Sequence, residues 1–447
     1  MNKIFLRFSP ILFLGLIFFS CQPDEEKPID YPVVSDYSGE IVSDWGEIIL
    51  KLSKECPGFS PPVVARAMGY IGVGLYESMV PGMPEYQSLQ GQLEVFPLGT
   101  IPAIESDVPY NWDLVANATL AKLVVHVFPN ASAENLDLIN EIKQKWDSKY
   151  ELESQDVIDR SVAFGEAVGI AMSDFSDTDS YQDAYLNNFP SSYVPPTTPG
   201  SWVPTPPAYQ PALQPYWREA RVWMKVNLEE VLPAPPPAYS ILPTSPFYLE
   251  AMEVYETVGH LTTEEKTIAD FWSDDPQTTA TPGGHSLSIA LEILRIENGD
   301  LGLGAVTLAK LGMAVNDAFV SCWNAKYIYN LIRPITFIHT NIDPDWEIPL
   351  NTPPFPEYPS GHSVQSGAAA KVLTDLFGEE HSFTDNMHLS RGDIDGSPRN
   401  FESFYDFADE AAISRLYGGI HFRSAIEVGV DQGIEVGANI GEIQFKR

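Results

Sequence analysis

Positive charge is scarce in this chain of 447 residues: 26 Lys and Arg stand against 61 Asp and Glu, a formal net charge of −35. Such a field repels nucleic acid and anionic lipid headgroups at long range, so nucleic acid is not an expected partner and any anion site must be a local basic cluster. Cysteine is nearly absent, with Cys21, Cys56 and Cys322 alone. That supports neither a disulfide framework nor a Cys-rich zinc site, and Cys56 and Cys322 read as two lone buried thiols. Long apolar runs are missing after the first twenty residues; nothing later approaches the ~18 needed to span a bilayer. Strand patterns are weak throughout, and no internal repeat is strong enough to use.

What is present begins with a leader. Lys3 and Arg7 precede the apolar stretch ILFLGLIFF, followed by Ser20 and Cys21, the layout of a secretory signal over residues 1–20. The small residue directly before Cys21 resembles a bacterial lipoprotein signal, and CQPDEEKP resembles the acidic tether of surface-exposed lipoproteins, here 21–36. This implies secretion across the inner membrane and lipidation at Cys21. The expected product is an outer-membrane lipoprotein, periplasmic or exposed at the cell surface, attached by a lipid anchor rather than a spanning helix.

Over 37–186, apolar residues recur at three- and four-residue steps, which predicts an N-terminal helical half. The chain then changes character over 187–248: fifteen of its 38 prolines lie between Asn187 and Pro246. Proline removes backbone donors and breaks helices, so this segment is expected to wrap a surface as irregular structure. Its aromatics Tyr193, Trp202, Tyr209, Tyr216 and Trp217 suggest a packed excursion rather than a free linker. Helices resume in a C-terminal half, 249–447, where Thr262 and Glu265 have capping-box spacing. Further helical runs are expected at about 285–297, 303–332, 361–377 and 403–417, and after His421. The predicted fold is mainly α, with two packed bundle halves and a proline-rich excursion between them.

Three stretches of the C-terminal half carry chemistry. In WNAKYIYNLIRP, Lys326 and Arg333 are seven apart, which on one helix puts both cations on nearly the same face. Arg333 should end that helix, because the residue before a proline is pushed out of the α region. In EYPSGHSVQSGAAAKVL, Gly361 lets backbone approach a ligand, and the apolar run behind it supplies a helix start with free amides and a positive dipole end. Ser360 can donate a hydroxyl or simply cap that helix, and His362 titrates near neutrality. In SRLYGGIHFRSA, Arg415 and His421 are six apart, too far round one continuous helix to meet. Gly418 and Gly419 can end the helix and turn the chain back. Together these residues suit a cage for a tetrahedral oxyanion.

The same residues resemble the superfamily joining type 2 phosphatidic acid phosphatases to vanadium-dependent haloperoxidases. Its pattern is Lys, six residues, Arg-Pro; then Pro-Ser-Gly-His; then Ser-Arg, five residues, His. KYIYNLIRP, PSGH and SRLYGGIH match it in order from Lys326 to His421. The haloperoxidase branch is similar over a longer span: Asp317 and Trp323 lie nine and three residues before Lys326, and Phe355 seven before His362, as in chlorinating members. FWSDDP resembles a helix end whose Asp supports the cage, best matched by Asp275, and SWVPTPPAYQPALQPYW resembles the proline-rich segment of bacterial haloperoxidase-like proteins.

This resemblance implies that Lys326, Arg333, Ser360, Gly361 and Arg415 bind vanadate oxygens, that His421 bonds the vanadium, and that His362 is the acid/base. Trp323 and Phe355 would shape the halide pocket. Hydrogen peroxide, a halide and an organic acceptor would be the reactants, and the product a hypohalous species. One departure stands out: where the superfamily commonly has Asp four residues after the last histidine, this chain has Ala425. A backbone carbonyl, Glu427 or Asp431 is the expected substitute as partner of His421. Two rival readings share the cage: a phosphomonoesterase with phosphate as substrate and His421 as nucleophile, and a non-catalytic surface lipoprotein with a vestigial anion site. The other histidines, His126, His260, His285, His339, His381 and His388, stand at no ligand spacing and read as structural or exposed.

Overall fold

The computed structural model describes residues 31–447; the expected leader, Cys21 and the tether up to residue 30 lie outside the described residues. Among the described residues fourteen α-helices run in order as α1 Glu40–Glu55, α2 Pro61–Met79, α3 Trp112–Val127, α4 Ala133–Lys149, α5 Gln155–Asp177, α6 Val226–Glu229 and α7 Pro246–Gly259. They continue as α8 Thr263–Phe271, α9 Thr281–Ile296, α10 Leu301–Tyr329, α11 Pro334–Asn341, α12 Gly361–Phe377, α13 Phe404–Tyr417 and α14 Arg423–Gly441. Two three-residue strands, β1 Phe383–Asp385 and β2 Arg399–Phe401, form one antiparallel pair. The fold is therefore all-α, a helical-bundle architecture.

Helix starts follow local chemistry. Asn111, Ser132, Ser245, Asp300 and Ser403 each accept a bond from a first-turn amide, which satisfies a donor that has no partner inside the helix. Thr262 and Glu265 form the expected capping box. Cys56 and Cys322 are both free and buried.

The core is organised around α10, which packs against α2, α12 and α14. Counting apolar runs found no second stretch of membrane-spanning length; α10 corrects that, since its length and composition would suffice to cross a bilayer. Its apolar window is 89% buried inside the protein, so it is apolar all round because protein surrounds it. α12 and α14 approach so closely that a Cβ on Gly433 would lie 2.1 Å from the Val364 carbonyl. That contact sets the start of α12 against the start of α14, where the Ser360 amide donates to the Ala425 carbonyl at 3.0 Å.

Until α7 begins at Pro246, the proline-rich segment contains only the short α6 and one 3-10 turn, Trp217–Glu219. Trp202, Trp217 and Trp223 are buried, but Tyr209 and Tyr216 are exposed, so the packing expected of its aromatics holds for the indoles and not for those two tyrosines. Asp317 on α10 pins the segment: its carboxylate accepts from the amides of Trp223 and Met224 and from Asn227 Nδ2 at 2.8–2.9 Å. The Leu213 amide donates to the Pro354 carbonyl at 2.8 Å, and the Trp323 indole donates to the Leu213 carbonyl at 3.3 Å. These bonds hold the segment as a collar over the place where α10, α12 and the turn after α13 meet.

Candidate active site

Three chain segments build this place. α10 ends at Tyr329 with Asn330 in the left-handed conformation, and Arg333 is the N-cap of α11. Lys326 and Arg333 thus do not share one helix as the spacing suggested; a short bend brings them together instead. α13 ends at Tyr417, and Gly419, at φ +73°, turns the chain back so that His421 lies just ahead of α14. Only glycine adopts that angle at little cost. Ser360 caps α12, its Oγ accepting from the Ser363 amide at 3.4 Å.

The partner of His421 is none of the three candidates read from sequence. Glu357, five residues before His362, places Oε1 2.8 Å from His421 Nδ1 and also accepts from the Phe422 amide at 2.9 Å. Ala425 is buried against apolar neighbours. With Nδ1–H donating to the carboxylate, the lone pair of His421 resides on Nε2. Burial, and then the cations of Arg333, Lys326 and Arg415, hold the imidazole well below its ordinary pKa, so it is neutral. Burial pushes Glu357 up to about 8, against the pull of Arg333 and Lys326.

Both cations are buried. Lys326 Nζ donates to the carbonyls of Pro356, Glu357 and Pro359 at 2.5–3.0 Å, which shapes the loop leading into α12. Arg333 donates from Nε to the Phe355 carbonyl at 2.9 Å and from Nη1 to the Ile420 carbonyl at 2.8 Å, with Nη1 3.1 Å from His421 Nε2. Its Nη2 is buried without a partner. Arg415 donates from Nε to Ser414 Oγ at 3.0 Å. Burial lowers Lys326 to about 7 and Arg333 and Arg415 to about 10.

A cavity of about 520 Å³ opens here, lined by Gly361, His362, Arg415, His421, Trp323, Phe355 and both Asp274 and Asp275. Trp323 and Phe355 pack with ring centroids 4.9 Å apart. Residues from the collar, including Pro206, Pro207 and Leu213, form much of the apolar remainder. His362 is partly exposed to this space, while its Nε2 is covered and unpartnered. Its enclosure, then Arg415, lowers its pKa well below the ordinary value.

Asp275, expected to support the cage, is exposed. The buried carboxylate at that helix end is its neighbour Asp274, whose Oδ2 lies 2.9 Å from His285 Nδ1. Both acids act electrostatically on Arg415, Asp274 the more strongly. His285 bridges on to Asp385 Oδ2 through Nε2 at 2.7 Å. Of the other histidines, His285 and His388 are buried as the structural reading expects, and with Asp274 they offer ligand-type atoms within 4.8 Å of one another. Sequence spacing hid the cluster because its members come from separate elements.

The residues present fit an oxyanion. Arg333 Nη2 and His362 Nε2 are buried donors or acceptors without partners, a costly state that a bound group would relieve. A Cβ on Gly361 would lie 3.4 Å from the Trp323 ring and 4.0 Å from Lys326 Cε, so the missing side chain keeps the space at the start of α12 open.

Residues 306–445 match a family model described as the VCPO second helical-bundle domain. The vanadium chloroperoxidase of Curvularia inaequalis is 24% identical over 177 aligned residues, and the match spans 29% of this chain and 28% of that protein. Among solved structures, the chain is similar to one described as the first bacterial vanadium-dependent iodoperoxidase. That similarity has a TM-score of 0.82 and 36% identity, and covers 94% of this chain and 98% of the other. A holo-type bacterial vanadium-dependent chloroperoxidase shares the fold, with a TM-score of 0.66 and 16% identity over 87% of this chain and 92% of the other.

Proposed function

We propose, from the premise that this chain belongs to the vanadium-dependent haloperoxidase family, that it is a vanadate-dependent enzyme using hydrogen peroxide to oxidise a halide to a hypohalous species. The observation that carries this reading is His421: a neutral imidazole, fixed by Glu357, directs Nε2 into a site flanked by Arg333 and lined by Arg415 and His362. Arg333, Arg415, Ser360, the Gly361 amide and the charge of Lys326 would hold the oxyanion, with His421 Nε2 as the ligand to vanadium. Bound vanadate would supply a Lewis-acid centre for peroxide chemistry without a redox change at the metal.

The chain's own residues then have separate tasks. Glu357 keeps the proton on His421 Nδ1. His362, neutral and with Nε2 free, can take a proton from an incoming peroxide and return it to a leaving hydroxide. Trp323, Phe355 and the collar keep the cavity apolar, where each fixed charge acts more strongly than in water. Iodide is the halide favoured for first trial, because the relative at 36% identity is described as an iodoperoxidase. An organic acceptor would be halogenated by the product.

A phosphomonoesterase reading uses the same residues, with His421 Nε2 as nucleophile and phosphate in place of vanadate. The two separate in one assay, in which purified protein with and without vanadate is given peroxide and iodide or bromide, and separately an aryl phosphate. Vanadate should activate halide oxidation; if it only inhibits phosphate hydrolysis, the peroxidase reading fails. Full retention of both activities in Arg415→Ala would count against the cage itself. Against the third reading, a vestigial anion site, stands Glu357, which supplies the carboxyl group beside His421 that Ala425 does not. We further propose export and lipid attachment at Cys21, checked by loss of palmitate labelling and membrane association in Cys21→Ala.

A further inference from the structure

Behind the His362 side of the cavity, Asp274, His285 and His388 converge from the turn after α8, from α9 and from the loop between β1 and β2. Two of their atoms are buried without a hydrogen-bond partner, Asp274 Oδ1 and His388 Nε2, and these face each other at 3.7 Å. Ligands of a tetrahedral zinc ion, at about 2.0–2.2 Å from the metal, lie roughly 3.4 Å from each other. The third atom, His285 Nδ1, is 2.9 Å from Asp274 Oδ2.

The surroundings resemble those of a prepared site. Asp385 Oδ2 accepts from His285 Nε2 at 2.7 Å, the carboxylate support that metal-ligating histidines generally have; Nδ1, which the two carboxylates hold protonated against Asp274 Oδ2, coordinates once that proton is released. The rings are held by packing: Trp272 stacks on His285 with centroids 4.4 Å apart, and Phe271 meets His388 at 4.8 Å. His388 and Asp385 also line a separate outer cavity of about 390 Å³.

We propose that Asp274, His285 and His388 bind a divalent transition metal of the zinc class, at a site that adjoins the oxyanion cavity through Asp274. On binding, any proton between His285 Nδ1 and Asp274 leaves to solvent, Asp385 keeps its hydrogen bond to Nε2, and the fourth position takes water. The metal would clip the β1–β2 loop to α9 and to the turn carrying Asp274. This proposal does not depend on the haloperoxidase reading.

The test is zinc chloride titrated calorimetrically into untagged, chelator-dialysed protein. One zinc per chain is expected, with a rise in Tm on the order of 3 °C at a hundredfold excess over Kd. His388→Ala should abolish binding. No stoichiometric uptake by the wild type, or unchanged affinity in H388A, overturns the proposal. Should H388A fail to fold, anomalous diffraction at the zinc edge from soaked wild-type crystals decides: a peak among the three side chains supports the site, and its absence there overturns it.

Discussion

His421 and His362 line the same cavity, and both are neutral because enclosure and nearby cations disfavour the imidazolium. They differ in what occupies their nitrogens. His421 is 2% exposed, with Glu357 on Nδ1 and Arg333 beside Nε2; His362 is partly exposed and keeps Nε2 unpartnered. An imidazole locked at both ends serves as a fixed ligand or nucleophile, whereas one with a free nitrogen can move a proton. The same side chain takes two roles because the packing around it differs.

Removing either histidine's distinctive feature tests that division. His362→Ala should lower kcat by roughly 10²–10⁴-fold while vanadate affinity changes little; a loss of affinity matching the loss of rate would instead make His362 part of the cage. Glu357→Gln keeps the size of the side chain but replaces the carboxyl group that partners His421 Nδ1 with an amide. Vanadate affinity, read by titrating the apoenzyme, should fall about 10–100-fold, and an unaltered affinity would show that Glu357 is not the effective partner.

The third prediction concerns the buried charge of Lys326. Burial lowers Lys326 to about 7, so in the empty site it loses its proton as pH rises through that value, while a bound oxyanion favours the charged form. Vanadate affinity should therefore weaken above pH 7, by up to about tenfold per unit until the pKa of the bound state is reached. Lys326→Arg should flatten the pH dependence of vanadate affinity, measured by titrating the apoenzyme. A smaller effect is expected at Phe355, whose ring lies 4.9 Å from the Arg333 guanidinium carbon. Losing that cation–π contact in Phe355→Leu should cost about 0.5–1 kcal/mol, seen as a few-fold weaker vanadate binding together with a changed KM for halide.

Much of the site was legible because its residues lie at helix boundaries with local signals. Ser360 and Gly361 open α12, Gly418 and Gly419 close α13, and the capping box of Thr262 follows from three-residue spacing. Where helix geometry was assumed to continue, the reading slipped: Asn330 ends α10 before Arg333, so that arginine belongs to the next helix. Ala425 drew attention to the missing carboxylate, but Glu357 gave no sign of being its replacement, since nothing in PEYPSGH marks that side chain as facing a histidine 64 residues away.

Residue order along the chain was sufficient to determine a mainly helical protein, a proline-rich excursion and the helix ends at which the candidate site residues stand, because turns, caps and helical periodicity act over a few neighbouring residues. Tertiary structure alone decided that Glu357 supports His421, that the collar hangs from Asp317 and Pro354, and that His285 and His388 share a cluster with Asp274. Those partnerships form only when separate elements pack, since a buried polar group takes whichever partner the packed elements bring within hydrogen-bond reach.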